Sequence, residues 1–184
     1  MTEKKSVIKI AQIVGNTVTG GVPSCVLNYY RFIDKKKYQF DFYTYGPSKL
    51  DEEIKRLGGN IYYIPNITNL PKYIFALTKL LKENNYKNMH SHMTSLSVFP
   101  LFAGWLAGVK NRFCHAHSTT HKKEKVRVYK NFLKKFCTIF STKNIACSSY
   151  SAKWMYGRRA DNAIVLRNAI DTKRFTPNLE ERNK

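Results

Sequence analysis

The sequence predicts an α/β fold, a doubly wound parallel sheet of about seven strands with helices on both faces. Three observations carry this reading. Short β-branched or aromatic runs alternate with longer stretches of helical periodicity along the chain. Glycine and proline stand at nearly every junction. Strict strand–helix alternation leaves right-handed crossovers between parallel neighbours as the favoured connection. With 184 residues, 43% of them hydrophobic, the chain is long enough for one domain with its own core.

Residues 1–6 read as a polar tail. Residues 7–14 are β-branched and bounded by glycine, which predicts a buried first strand. A glycine-rich turn, 15–21, leads into a helix over 22–33 with Val22, Val26, Tyr29 and Ile33 on one face. Pro23 suits the first helical turn, and Lys35, Lys36 and Lys37 place cations at the far end, where the helix dipole favours them. Residues 39–45 predict a second strand ended by Gly46-Pro47, 50–57 a short helix stopped by Gly58-Gly59, and 60–64 a third strand. Pro71 opens a helix with Ile74, Leu77 and Leu81 on one face, and 86–90 form a fourth strand. The next helix begins at Ser95 or Ser97, with Pro100 in its first turn or at a kink, and ends at Gly108. Residues 112–115 are a fifth strand and 117–125 a polar loop. A helix over 126–140 follows, with Val126, Tyr129, Leu133, Phe136 and Phe140 on one stripe. Residues 144–147 predict a sixth strand, 148–156 a helix closed by Gly157, and 163–166 a seventh strand. Beyond Asn168 the chain becomes irregular and ends in a charged tail.

Lys+Arg 32 against Asp+Glu 12 gives a net charge of +20, which attracts polyanions such as nucleic acid or the anionic inner leaflet of a membrane. The sequence contains no pattern of an RRM, KH or helix-turn-helix module, so nucleic acid is not an expected partner. The best candidate for a membrane span, 96–109, is uncharged but too short to cross a bilayer, and the N-terminal apolar run is broken by Lys9 and Gln12, unlike a signal peptide. The four cysteines, Cys25, Cys114, Cys137 and Cys147, form no Cys-x-x-Cys pair. Three fall in patterns expected to be buried, so they read as reduced core residues of a cytoplasmic protein.

In a doubly wound sheet, ligands bind outside the carboxyl ends of the strands. After the first strand stands Gly20-Gly21, after the fourth His90-Ser91-His92, after the fifth His115-Ala116-His117-Ser118, after the sixth Ser148-Ser149 and after the seventh Arg167-Asn168. The glycine turn is neither Gly-x-Gly-x-x-Gly nor a P-loop, but paired glycines before a helix allow an anion close to the backbone. Four of the five histidines gather at two of these edges. Two His-x-His pairs could aim imidazoles at one metal ion, but no Asp or Glu lies beside them, so no metal is expected. His90 and His115, the inner members, read as hydrogen-bonded strand-end residues, while His92 and His117 are placed to face a cleft. Neither a Gly-x-Ser-x-Gly elbow nor a carboxylate pair is present. The basic stretch Lys122, Lys123, Lys125, Arg127 and Lys130, followed by Lys134-Lys135, fits either a solvated helix face or an interfacial helix on anionic lipid.

Taken together, these segments resemble the N-terminal half of a GT-B fold glycosyltransferase of family 4, of the bacterial capsular and exopolysaccharide type. Gly20-Gly21-Val22 with Val26-Leu27-Asn28 resembles the family's Gly-Gly-Ala-Glu turn, with Val22-Pro23 in place of Ala-Glu. His90-Ser91-His92-Met93 and His115-Ala116-His117-Ser118 resemble its two histidine segments. Asn144-Ile145-Ala146-Cys147-Ser148 with Lys153-Trp154-Met155-Tyr156-Gly157 is similar to its sixth strand and next helix. Residues 165–175 resemble Pro-Asn-Gly-Ile-Asp-x-x-x-Phe, with Arg167 and Ala169 for Pro and Gly.

The resemblance implies a Rossmann-like acceptor-side domain over 1–175, an interdomain linker beginning at 176–184, and a C-terminal donor domain that this chain lacks. It implies retaining transfer from a nucleotide-sugar, commonly a UDP-sugar, to a glycan or lipid-linked acceptor, with no cofactor. Gly20 and Gly21 would contact the donor diphosphate and His117 would act at the transferred sugar, with His92, Ser118 and Asn168 binding acceptor or sugar. Lys122, Lys123, Lys125, Arg127 and Lys130 would face an anionic membrane, placing the protein in the cytoplasm at the inner face of the plasma membrane. The chain alone is then expected to be inactive. The alternative is a non-catalytic module that docks on a membrane or a partner transferase.

Overall fold

A computed structural model describes residues 7–16, 20–119 and 125–172. It contains seven strands, β1 (Ile8–Gly15), β2 (Tyr38–Thr44), β3 (Ile61–Tyr63), β4 (Asn88–Ser91), β5 (Asn111–Ala116), β6 (Lys143–Ala146) and β7 (Ile164–Val165). The helices between them are α1 (Gly21–Phe32), α2 (Asp51–Arg56), α3 (Leu70–Glu83), α4 (Val98–Leu106), α5 (Arg127–Phe140) and α6 (Ser149–Tyr156). Every strand pair is parallel, in the order β3-β2-β1-β4-β5-β6-β7. The doubly wound expectation therefore holds, and the strand order reverses between β1 and β4.

Right-handed crossovers put α1 and α2 on one face of the sheet and α3 to α6 on the other. Strand alternation matches this. Ala11, Ile13 and Tyr43 pack with Leu77 and Met89 beneath α3 and α4. Val14, Phe40 and Phe42 pack with Val26, Leu27, Tyr30 and Ile54 beneath α1 and α2. A third cluster, including Leu101, Cys114, Leu133, Cys137 and Tyr156, joins α4, α5 and α6 to the far half of the sheet.

Local chemistry explains the element ends. Asn69 caps α3 by accepting from Lys72 N–H, with proline in the first turn. Ser148 and Ser151 form a reciprocal capping box at α6. A 3₁₀ turn over Thr94–Ser97 precedes α4. Pro100 therefore falls in the first turn of α4, where its missing N–H costs no helical bond. β4 begins at Asn88, two residues later than expected, because Tyr86 is spent as a buried anchor to Asp41 beneath β2.

The stripe expected on α5 is only partly internal. Leu133 is buried and Phe140 half-buried, while Val126, Tyr129 and Phe136 are exposed, and the second buried residue is Cys137. Cys25, Cys114 and Cys137 are buried, Cys147 is half-buried, and all four are free thiols. No described helix is long and apolar enough to cross a membrane. The domain boundary expected near residue 175 lies outside the described residues.

Candidate active site at the strand ends

Strand order reverses between β1 and β4, and the carboxyl ends at such a reversal are the usual ligand position in doubly wound sheets. The turn after β1 forms one side of this position. Gly20 has φ +116 and ψ 164, a backbone conformation essentially reserved for glycine, and serves as the N-cap of α1 without a side-chain cap bond. A Cβ built at Gly20 or Gly21 would meet nothing within 4 Å, so both residues border open space. The first turn of α1 carries no acidic residue. Its positive dipole end thus faces the space without a fixed counter-charge.

The other side is an array of four imidazoles. His90 and Ser91 end β4 and His92 follows it; His115 and Ala116 end β5 and His117 follows. Period-two alternation and parallel register stack the rings two by two. The ring centroids lie 4.0 Å apart for His90 and His92, 3.9 Å for His115 and His117, and 5.1 Å for each cross-strand pair. Gln12 of β1 pairs in register with His90, which puts its side chain on the same face.

Hydrogen bonds fix the tautomers along the upper row. The Gln12 amide oxygen accepts from His92 Nε2–H at 2.7 Å. His92 Nδ1 is then an acceptor and takes His117 Nε2–H at 2.8 Å. His117 is left with Nδ1 as a lone-pair acceptor. Its backbone is held as well, with N–H donating to Thr94 Oγ1 at 3.3 Å and the carbonyl accepting from the Cys147 thiol at 3.3 Å. Thr94 has φ +50, a left-handed conformation that is costly for a β-branched residue and is sustained here beside the site. In the lower row His90 Nε2 and His115 Nδ1 lie 3.1 Å apart. His115 Nε2 is buried with no partner among the described residues. The cheaper arrangement therefore has His115 Nδ1–H donating to His90, which leaves a bare lone pair buried instead of an N–H.

Enclosure and mutual proximity keep all four rings neutral. Desolvation, with neighbouring imidazoles adding to it, pushes His90 down to about 3 and His115 to about 2, and holds His92 well below the ordinary value. Desolvation pushes His117 down to about 4. Ring nitrogens of His90, His92 and His115 lie within 4.8 Å of one another, near enough to share an ion. His90 Nε2 and both His92 nitrogens are already committed to hydrogen bonds, and β4, β5 and β6 carry no Asp or Glu to offset a divalent charge.

Several expected placements change. His92 does not face a cleft: it is 4% exposed and both ring nitrogens are occupied, so it orients His117. Of that pair His117 is the half-buried member, and His90 is half-buried as well. Ser118 is exposed on the following loop. Asn168 lies over α1, where its Oδ1 accepts from the Cys25 thiol at 3.3 Å. Lys122 and Lys123 fall outside the described residues; Lys125 and Arg127 are exposed and Lys130 is half-buried. Sequence reasoning missed Gln12 and Thr94. Gln12 interrupts an apolar strand run, which is the one local sign that it has a polar partner inside.

The model for Glycosyltransferase Family 4 matches residues 19–174. EpsF of Bacillus subtilis (strain 168), a protein named as a glycosyltransferase, is 32% identical over 181 residues, covering 92% of this chain and 47% of EpsF. CapH of Staphylococcus aureus, named a capsular polysaccharide biosynthesis glycosyltransferase, is 28% identical over 152 residues, covering 77% of this chain and 41% of CapH. The chain thus spans about half the length of the curated relatives it matches. Among solved structures, Anabaena Alr3699/HepE in complex with UDP-glucose has the same fold, with a TM-score of 0.75 at 14% identity. That match covers 95% of this chain and 47% of HepE, so the sheet is one half of a GT-B architecture.

Proposed function

The chain belongs to glycosyltransferase family 4, and from that premise we propose that it is the N-terminal half of a retaining transferase in polysaccharide biosynthesis. The reaction moves a sugar from a nucleotide-sugar, specifically a UDP-sugar, to a glycan or lipid-linked acceptor. The observation that carries the reading is His117, a neutral imidazole oriented through His92 and Gln12 at the strand end beside the switch point. A neutral ring suits this role. Its Nδ1 lone pair can accept from a sugar hydroxyl, whereas an imidazolium would oppose the positive charge that grows at the anomeric carbon as the bond to diphosphate breaks. The N-terminus of α1, with Gly20 and Gly21 bordering open space, supports the complementary role of stabilising charge on the leaving diphosphate. The relatives named above, one a capsular polysaccharide transferase and one a structure holding UDP-glucose, support the substrate class.

A second reading, a non-catalytic module that docks on a membrane or partner, is favoured by the cation-rich face of α5. One experiment separates the two. His117→Ala in a chain extended to the length of its relatives is expected to lower kcat for transfer from UDP-sugar by about 10²–10³-fold, with the UDP-sugar KM nearly unchanged. Transfer that proceeds at the parent rate would remove His117 from the chemistry and leave the docking module.

A further inference from the structure

The chain leaves β4 through a conformation that glycine adopts freely and threonine does not: Thr94 has φ +50. A β-branched residue stays in that region only where its surroundings over-determine it. They do so here. The Met93 sulfur, one residue earlier, accepts from the Tyr73 hydroxyl at 3.8 Å and the Tyr45 hydroxyl at 4.0 Å. Leu96 N–H donates to the Met93 carbonyl at 3.0 Å, which closes the 3₁₀ turn over Thr94–Ser97. The Cys137 thiol of α5 donates to the Ser95 carbonyl at 3.4 Å. Ser91 Oγ donates to Ser97 Oγ at 2.9 Å, with both serines buried. Core contacts thus grip the turn on both sides of Thr94 and leave the strain on that one residue.

The strained turn places one hydroxyl. Thr94 Oγ1 accepts from His117 N–H at 3.3 Å, and the hydroxyl keeps a hydrogen of its own to donate. Among the described residues none accepts it. Thr94 is half-buried, so its side chain is not sealed in the core. His117 carries the complementary group: its Nε2–H is committed to His92, and its Nδ1 offers a lone pair. Two residues joined by a hydrogen bond therefore present an O–H without an acceptor and a lone pair without a donor. A sugar hydroxyl matches both, since it donates one hydrogen and accepts another. An ether oxygen or a fluorine accepts from Thr94 but leaves Nδ1 unmatched, and a methylene leaves both unmatched.

We propose that Thr94 is a specificity-determining residue of the strand-end site, and that its hydroxyl donates to the same hydroxyl of the transferred sugar that donates to His117 Nδ1. The assignment rests on the sugar-transfer reading and deepens it. The site selects a sugar with a free hydroxyl at one ring position and discriminates against its deoxy and fluoro counterparts, because those leave polar groups of the protein unpaired.

Kinetics in a chain extended to the length of its relatives test this. The probes are UDP-glucose, UDP-galactose and UDP-N-acetylglucosamine, followed by deoxy and fluoro analogues, one position at a time, of whichever is transferred. In the parent one deoxy analogue should lose at least about tenfold in kcat/KM. Thr94→Val should lower kcat/KM for the full sugar about tenfold and shrink that one deoxy penalty to within about threefold. Thr94→Ser, which keeps the hydroxyl, should retain the parent's selectivity. Thr94→Gly relieves the backbone while removing the hydroxyl. Its kinetics should follow Thr94→Val, while the 184-residue chain keeps its thermal midpoint because the lost strain offsets the lost bond. A purely structural role would leave the deoxy selectivity unmoved. Parental kcat/KM in Thr94→Gly would overturn the proposal, and so would a Thr94→Val enzyme whose deoxy penalties match the parent's at every position. His117→Ala tells the two readings apart. If it abolishes transfer while Thr94→Gly is silent, only the Thr94 assignment falls; if transfer survives it, the sugar-transfer role of the site falls and Thr94 with it.

Discussion

Two regions of this molecule reverse the usual partition between inside and outside, in opposite directions. At the carboxyl ends of β4 and β5, four titratable imidazoles are packed together, His92 and His115 almost wholly enclosed. On α4 and α5, apolar residues such as Phe132, Trp105 and Ile139 stand in solvent. Each reversal costs free energy, through desolvation in the first case and unburied apolar surface in the second. The array offsets its cost internally, because the tight contacts Gln12–His92 and His92–His117 satisfy polar atoms and fix a tautomer. The exposed α4–α5 surface offers no such internal compensation, so its explanation must lie outside the chain. Enclosed polar groups that satisfy one another point to a preorganised site, whereas unmatched apolar groups rimmed by cations point to a surface waiting for a partner.

Acid is the strongest way to break the array. The folded values of all four rings lie below the ordinary histidine value of about 6.5, so between those values the unfolded chain binds more protons. Their contribution is complete above pH 6.5 and is lost as pH falls toward 4. Each enclosed imidazole then lowers the unfolding free energy with a slope approaching about 1.4 kcal/mol per pH unit. Urea unfolding measured from pH 7 to 4 should show stability falling steeply through this window, and a flat profile would mean the rings are not enclosed.

A matched pair of phenylalanines sharpens the contrast next. Phe42 is 2% exposed between α1 and the sheet, and Phe42→Ala should cost about 3–5 kcal/mol. Phe132→Ala, at 56% exposure, should stay within about 0.5 kcal/mol. Comparable losses in urea titrations would show that the α5 surface is core after all. Within the array, Gln12→Leu leaves His92 Nε2–H buried without its acceptor and should cost about 1–3 kcal/mol. Because the tautomer of His117 is then no longer fixed, kcat in a full-length transferase should fall about tenfold with KM little changed. Gln12→Glu, which still accepts from His92, should restore most of it.

Much of the fold was legible in the chain because its signals are local. The glycine after β1, the proline opening α3, the glycine closing α6 and the alternation of short apolar runs with amphipathic stretches act within a few residues of themselves. The clustering of histidines at two strand ends was legible for the same reason, since the end of a predicted strand is a place in the fold as well as in the sequence. Misread features depended on distant partners. His92 looked like a ligand-facing residue because nothing nearby announces Gln12, eighty positions away, as its partner. The α5 stripe looked internal because periodicity shows that one side of a helix is apolar, not how much of that side a neighbouring helix covers.

The amino-acid sequence by itself therefore determined the alternation, the parallel doubly wound sheet, the family and the edge at which the polar residues gather. Tertiary structure alone decided which imidazoles are half-buried, which tautomer His117 holds and which apolar residues are left in solvent. The reason is physical. Secondary structure and topology follow from chain geometry and short-range patterning, whereas burial, hydrogen-bond partnership and desolvation are set by contacts between residues that only the closed fold brings together.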